Sequence, residues 1–328
     1  MKILITGAAG FLASDLIPIL LDQGHEIIGI DNFSKYPRKK TPSCIEIIEG
    51  DARNTNLLEQ TLKGRDCLIP MAAMVGGIDY FHRNPFSIIS YNDSLAQAAF
   101  AAAINCKISR FLLISSSMVF ENSSSDNMME SSIVNSAPPS SSYGFQKLNL
   151  ERYAEYAWNE LALPCEIIRP FNAVGLGELQ DIESAWKNIK AGSPTQLHVI
   201  PDLILKCLLE NQKLKIYGDG EQIRCFTSAK DIARGISSIL DRDFDQLRYY
   251  HLSSNTPTKI SDLAAMIWKM VRPDEVMSLE NLPRYKWDVK VRIPETQKTM
   301  QLLNFNPNSD LSKMIQDVYQ EIQMKISK

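Results

Sequence analysis

The segment "ILITGAAGFLAS", Ile3 to Ser14, passes from an apolar run through a turn with two glycines into a second apolar pattern. How it is read decides the fold. Gly7 permits a tight turn, Gly10 lets the backbone come close to a pyrophosphate, and Ala13 stands where a helix would pack on a strand. The helix that opens there offers N–H donors and the positive end of its dipole. The spacing G-x-x-G-x-x-A is common by itself; a strand before it and a helix after it make it a dinucleotide-binding turn. Asp31 ends the next apolar run, 21 residues past Gly10. A carboxylate there accepts hydrogen bonds from ribose hydroxyls and repels a 2′-phosphate, which favours NAD over NADP. Lys35, Arg38, Lys39 and Lys40 follow and are the cations that would hold such a phosphate.

Outward from that turn, short apolar runs alternate with longer helical patterns. Residues 2–6, 26–30, 45–48, 67–71, 110–115 and 165–169 read as strands. They lack in–out alternation, as strands of a parallel sheet covered on both faces do. Helices are expected over 11–23, 54–63, 85–105 and 143–161, with Pro18 kinking or shortening the first. The alternation predicts an α/β fold, a Rossmann-type doubly wound parallel sheet. After about residue 171 the rhythm changes, with helices expected over 199–211, 258–271 and 309–325. "SAKDIARGISSIL" opens with Ser228 and Asp231 spaced as a capping box. The serine-rich stretch 122–137 reads as a flexible surface loop.

The 328 residues suffice for one large domain or two closely joined ones. A net charge of −3 provides no basic field for nucleic acid or an anionic membrane. No stretch approaches the ~20 apolar residues of a spanning helix, and "MKILITG" is no signal peptide. Six cysteines at 44, 67, 106, 165, 207 and 225 form no C-x-x-C and read as reduced core residues of a cytoplasmic protein. The four histidines show no metal-ligand spacing, so no metal is expected.

"SSSYGFQK", 140 to 147, sets a tyrosine and a lysine four apart behind serines. On a helix Tyr143 and Lys147 share a face. A cation beside a phenol favours the phenolate and lowers its pKa. The pair is a candidate tuned base; the same spacing also occurs on ordinary surface helices.

Taken together, "TGAAGF", Asp31, "GDARN" (50–54), "MAAMVGG" (71–77), "SSSMVF" (115–120), Tyr143-x-x-x-Lys147 and "RPFNAVG" (169–175) resemble the extended short-chain dehydrogenases/reductases. The chain is similar to their NAD-dependent epimerase/dehydratase branch, which acts on nucleotide sugars. The likeness covers nearly the whole length and continues through "HVIPDLI" and "GDGEQIRCFTSAKDIARGI". It implies an NAD-binding domain over 1–171, to which 215–250 partly returns, and a nucleotide-sugar-binding domain from 172–214 and 251–328. It implies Tyr143 as the base, Lys147 on the nicotinamide ribose and Ser116 as the hydroxyl that orients the sugar. The implied cofactor contacts are Gly7, Gly10, Phe11, Leu12, Asp31, Asn32, Asp51, Ala52, Met71, Ala72, Ala73, Ser115, Tyr143, Lys147 and Pro170. Asn92 matches a helix residue near the site. The implied substrate contacts are Ser117, Asn172, Val199, Ile200, Arg224 and Arg292, the two arginines on phosphates. A homodimer through helices 85–105 and 143–161 is also implied; the small residues 98–104 would suit that contact or packing on the sheet.

Departures from the pattern narrow the chemistry. The resemblance implies that 4,6-dehydratases carry an Asp-Glu pair where this chain has Ser117 and Met118, and that 3,5-epimerases carry a cysteine at the second position. A thioether has no exchangeable proton. What survives is epimerisation through transient oxidation at C4, or net C4 oxidation or reduction; the first is the expectation. "AAMVGGI" resembles the loop of GDP-sugar enzymes, while UDP-sugars are commoner in the branch. A non-catalytic NAD-binding role is the alternative from another class.

Overall fold

The computed structural model describes residues 1–38, 44–123, 127–129, 133, 136–193, 195–209, 213–308 and 310–326. The chain begins β1 (Lys2–Thr6), α1 (Phe11–Asp22), β2 (Glu26–Asp31), β3 (Glu46–Glu49), α2 (Thr55–Leu62), β4 (Cys67–Pro70), α3 (Ile78–Arg83), α4 (Pro85–Cys106) and β5 (Arg110–Ile114). It continues through β6 (Asn127–Met128), α5 (Ser142–Leu161), β7 (Cys165–Pro170), β8 (Ala173–Val174), α6 (Ile182–Lys190) and α7 (Val199–Leu209). Then come β9 (Leu214–Tyr217), β10 (Ile223–Cys225), β11 (Thr227–Ser228), α8 (Ala229–Leu240), β12 (Arg248–Leu252), β13 (Pro257–Lys259) and α9 (Ile260–Val271). The last are β14 (Leu279–Leu282), β15 (Val291–Pro294), α10 (Gln297–Leu303) and α11 (Leu311–Ile326).

Seven strands form one sheet in the order β12-β7-β5-β4-β1-β2-β3, every pairing parallel. β1 shows why its sequence lacks alternation. Ile3 and Ile5 enter the core shared with α1 and α8, while Leu4 enters the opposite core with α2, α4 and α5. Both faces of the strand are thus dry, so both need apolar side chains. A third core, around Leu203, Ile216, Ile267 and Ile315, joins α7, α9 and α11. Within the stretch 215–250, α8 packs on α1 and β12 adds the outer strand of the large sheet. Earlier in that stretch, β9 and β10 instead join the small sheets β14-β9 and β13-β10-β15-β6.

Several local expectations change. α1 runs unbroken through Pro18, which lies on its exposed side. Ser228 makes no side-chain cap; Asp231 turns to Arg234 and accepts from the Asn308 backbone N–H at 3.0 Å. Of the loop 122–137, residues 124–126, 130–132, 134 and 135 lie outside the described residues, as do Lys39, Lys40 and residues 210–212. β6 pairs with β15 and Met128 is buried, so this stretch is more than a surface loop. Cys44 is exposed, unlike the buried Cys67, Cys165, Cys207 and Cys225. Ala98, Ala99, Ala102 and Ala103 are buried in the chain's own core, which assigns the small stripe to packing on the sheet.

Gly7 sits at φ +69°, and a Cβ there would lie 2.6 Å from the Ala72 backbone nitrogen. Gly24, at φ +81°, faces open space. Gly24→Ala is expected to cost about 1 kcal/mol, the strain of the left-handed conformation alone. Gly7→Ala must also push back a backbone segment, and about 3 kcal/mol is expected. Urea unfolding of the two variants checks the ranking; equal losses would contradict the tight contact between this turn and residues 71–72.

Candidate active site

β5 ends fully buried at Ile114, and the chain leaves the sheet through three serines. Ser116 caps the 3₁₀ turn that follows, its Oγ accepting from the Met118 N–H at 3.2 Å. α5 begins the same way, with Ser141 Oγ accepting from the Gly144 N–H at 3.1 Å. Glu121 ties the turn to the helix start: its carboxylate accepts from the N–H groups of Ser140 (3.1 Å) and Ser141 (2.9 Å). This arrangement aims one stripe of α5 at the end of β5. Lys147 Nζ donates to the Ile114 carbonyl at 2.8 Å and lies 5.7 Å from the centre of the Tyr143 ring. The Ser116 hydroxyl lies by the Tyr143 phenol and favours its ionised form. Of the three serines, Ser115 instead donates its hydroxyl to Glu151 at 2.5 Å, and Ser117 is buried on the cavity wall. Phe81 of α3 stacks on the phenol, ring centres 4.4 Å apart and planes 7° apart.

Burial dominates the electrostatics. It pushes the Tyr143 phenol up to about 12, against the opposing pull of the Ser116 hydrogen bond and the Arg292 charge. It draws Lys147 down to about 8, with Glu151 opposing. For the protein alone the phenol is therefore raised on balance, with Arg292 the charge that opposes the rise. Desolvation of the phenolate outweighs the neighbouring cations.

Tyr143, Lys147 and Ser116 open onto a cavity of about 960 Å³ that runs from the glycine turn to the small sheets. Gly7, Gly10, Phe11, Leu12, Asp31, Asn32, Ala52, Met71, Ala72, Ala73, Ser115 and Pro170 line it. α1 starts after Gly10 with no side-chain cap, so its first N–H groups remain for a ligand. Asp31 braces the turn by accepting from the N–H groups of Ala9 (3.0 Å) and Phe33 (2.7 Å). A pyrophosphate against the turn and a ribose at Asp31 fit this wall. Lys35 donates to the Val75 carbonyl at 3.2 Å, and Arg38 pairs with Glu49 at 3.2 Å, so neither is held ready for a 2′-phosphate. Asp51 does not line the cavity; Arg53, two residues on, captures its carboxylate at 2.5 Å. Asn92 lies behind the wall, clamping Met74 through both its N–H (2.7 Å) and its carbonyl (3.0 Å).

The far end of the cavity collects Ser117, Asn172, Val199, Ile200, Arg224 and Arg292. Arg224 and Arg292 are direct cross-strand partners on β10 and β15, and both are buried. Asp288 pairs with Arg224 at 2.9 Å. Arg292 Nε finds no hydrogen-bond partner among the described residues, and burial followed by the Arg224 charge pulls its pKa down to about 9. The guanidinium groups of Arg224, Arg292 and Arg284 outnumber the nearby carboxylates of Asp288 and Glu121, a setting for an anion. Asn172, at φ +36°, spends its amide on the Cys225 carbonyl at 2.8 Å.

The sequence reading had missed Phe81, Glu121, Asp288 and Glu151. Glu151 alone carried a signal, falling four residues past Lys147; the others come from elements whose contacts are not local.

Residues 3–251 match the model of the NAD dependent epimerase/dehydratase family. A UDP-glucose 4-epimerase of Corynebacterium glutamicum is 24% identical across 97% of this chain and 95% of its own length. A GDP-mannose 3,5-epimerase of Arabidopsis thaliana is 24% identical across 100% of this chain and 84% of its own. Among solved structures, the UDP-glucuronic acid 4-epimerase of Bacillus cereus in complex with UDP-glucuronic acid and NAD superposes with a TM-score of 0.82 at 25% identity, covering 99% of this chain and 100% of that one. An epimerase of Methanothermobacter thermautotrophicus shares the fold, with a TM-score of 0.84 at 23% identity over 99% of this chain and 93% of its own.

A spectrophotometric pH titration checks the electrostatics. Without NAD, the tyrosinate absorbance that wild type shows beyond Tyr143→Phe should stay flat through the ordinary phenol value of 10 and rise toward about 12. Phenolate from Tyr143 at about pH 9 or below, an ordinary phenol value being about 10, would contradict the dominance of burial.

Proposed function

The chain belongs to the NAD dependent epimerase/dehydratase family and is an NAD-dependent enzyme, and we propose that it is a nucleotide-sugar 4-epimerase. The observation that carries the reading is the Ser116–Tyr143–Lys147 cluster on the cavity wall, with Met118 beside it instead of a second acid or base. Residues 1–171 would hold the cofactor; 172–214 and 251–328 would hold the nucleotide sugar.

Tyr143 takes the proton from the sugar 4-hydroxyl and returns it at the end of the cycle. Ser116 hydrogen-bonds the same oxygen and fixes its distance from the phenol. Lys147 binds the nicotinamide ribose and favours the phenolate through its charge. Bound NAD supplies a reversible hydride acceptor for the sugar carbon and a positive ring near the phenol. Arg224 and Arg292 hold the diphosphate while the keto sugar turns, so that its other face meets the hydride. Asn172, Val199 and Ile200 line the nucleotide end. Asp31 and the first turn of α1 hold the adenosine ribose and the pyrophosphate. Dehydration would need carboxyl groups at 117 and 118, and this chain has a serine and a methionine.

The six cysteines, none of them in a disulfide among the described residues, support a cytoplasmic enzyme. α4 and α5 pack side by side and expose Phe86, Phe145, Tyr156 and Leu161, which supports a homodimer through these helices.

Incubation with UDP-, GDP-, CDP- and dTDP-sugars, followed by ion-exchange chromatography with mass detection, tests the reading. A new peak of unchanged mass is expected. A product lighter by water, or by two hydrogens, would overturn it. Tyr143→Phe should lose about 10³-fold in turnover while retaining NAD.

A further inference from the structure

Four residues past Lys147, on the same stripe of α5, stands Glu151, 1% exposed. Its carboxylate is fully used. Oε1 accepts from Ser115 Oγ (2.5 Å) and Arg169 Nε (2.9 Å), and Oε2 accepts from Arg169 Nη2 (2.8 Å). Arg169, also 1% exposed, reaches His251 Nε2 through Nη1 at 3.2 Å. A guanidinium only donates, so Nε2 accepts and the imidazole proton sits on Nδ1, 3.0 Å from the Glu295 carbonyl. Burial and the Arg169 charge keep His251 neutral. The chain Ser115–Glu151–Arg169–His251–Glu295 therefore joins the end of β5, α5, β7, β12 and the residue after β15, the strand that carries Arg292.

Two consecutive residues at the end of β5 are held by the α5 stripe, and the third faces it. Lys147 takes the Ile114 carbonyl and Glu151 the Ser115 hydroxyl, while the Tyr143 phenol sits by Ser116. A buried ion pair alone is poor grounds for a functional role, because apolar replacements often serve the fold as well. Here the pair makes a third bond, to the residue next to Ser116, and its acidic member lies one turn from the buried ammonium.

We propose that Glu151 is a positioning residue for the reaction: it fixes Ser115, and through it Ile114 and Ser116, against Lys147 and Tyr143, and its charge keeps Lys147 an ammonium. The inference rests on the roles given above to Tyr143 and Lys147. The charged and titratable groups around Glu151 are Arg169 from β7, Tyr249 and His251 from β12, with Lys298 of α10 beside His251, and Lys147, Arg152 and Glu155 from its own helix. Lys147, Arg152 and Arg169 are cations, and it is Glu151 that opposes the burial of Lys147.

The test needs no substrate. Protein labelled with ¹³C at lysine Cε is titrated by NMR, the Lys147 signal being assigned by its loss in Lys147→Arg. Glu151→Gln keeps the shape and removes the charge. The Lys147 midpoint should fall by at least half a pH unit, and NAD affinity measured calorimetrically at pH 8 should fall at least threefold. Glu151→Asp keeps the charge and should leave the midpoint within two tenths of a unit of wild type. Glu151→Gln leaves the buried Arg169 facing a neutral amide, so the double variant Glu151→Gln/Arg169→Met, which removes both charges, is titrated as well and should show the same fall. An unmoved Lys147 midpoint in either folded variant, or a fall in Glu151→Asp as large as in Glu151→Gln, would reduce Glu151 to a brace of the fold. Failure of every nucleotide sugar to turn over in wild type would count against the epimerase reading and leave this titration unchanged.

Discussion

A lysine ammonium buried against a backbone carbonyl is the interaction on which the site depends. Lys147 Nζ donates to Ile114 at 2.8 Å at the point where β5 leaves the sheet. Burying that charge is costly, and the cost shows as a pKa drawn down to about 8. Glu151, which opposes that fall, also ties α5 to the end of β5 through Ser115. The helix start is fixed in turn by Glu121 on the Ser140 and Ser141 N–H groups. Much of the surrounding polar structure serves to hold one helix stripe at the end of one strand.

The phenol and the arginines show how the resting protein is prepared for its ligands. Tyr143 alone is a weak acid in a dry pocket, pushed up to about 12. On the proposed reading its activation would come with bound NAD, which would bring a positive charge to the site. Arg224 and Arg292 stand opposite each other with Asp288 and Glu121 as nearby carboxylates, and the buried Arg292 Nε finds no partner among the described residues. Cations held close in a buried wall favour an anionic ligand over water.

The large sheet was legible because both faces of its strands are dry: Ile3 and Ile5 serve one core and Leu4 the other. The Tyr143–Lys147 pair was legible because helix geometry makes it local. What the sequence concealed depended on register and competition. Glu151 reaches Arg169 18 residues on, and Arg169 reaches His251 82 residues further, distances at which pattern carries no information. Asp51 fits the family pattern, yet Arg53 captures its carboxylate locally. Asp231 sits at a capping-box position but finds Arg234 and the Asn308 N–H instead. The short helix α3, which brings Phe81 onto the phenol, has only Gly77 as its N-cap and gave no start signal.

The central claim is that the chemistry passes through C4 alone, with one phenol carrying the proton. Conversion of the nucleotide sugar in D₂O tests it most directly. A 4-epimerase of this design returns the C4 hydrogen that it removed, so the product should carry no deuterium on carbon by mass spectrometry and NMR. Deuterium at C3 or C5 would mean that a carbon acid is ionised by some other group, and it would contradict the account.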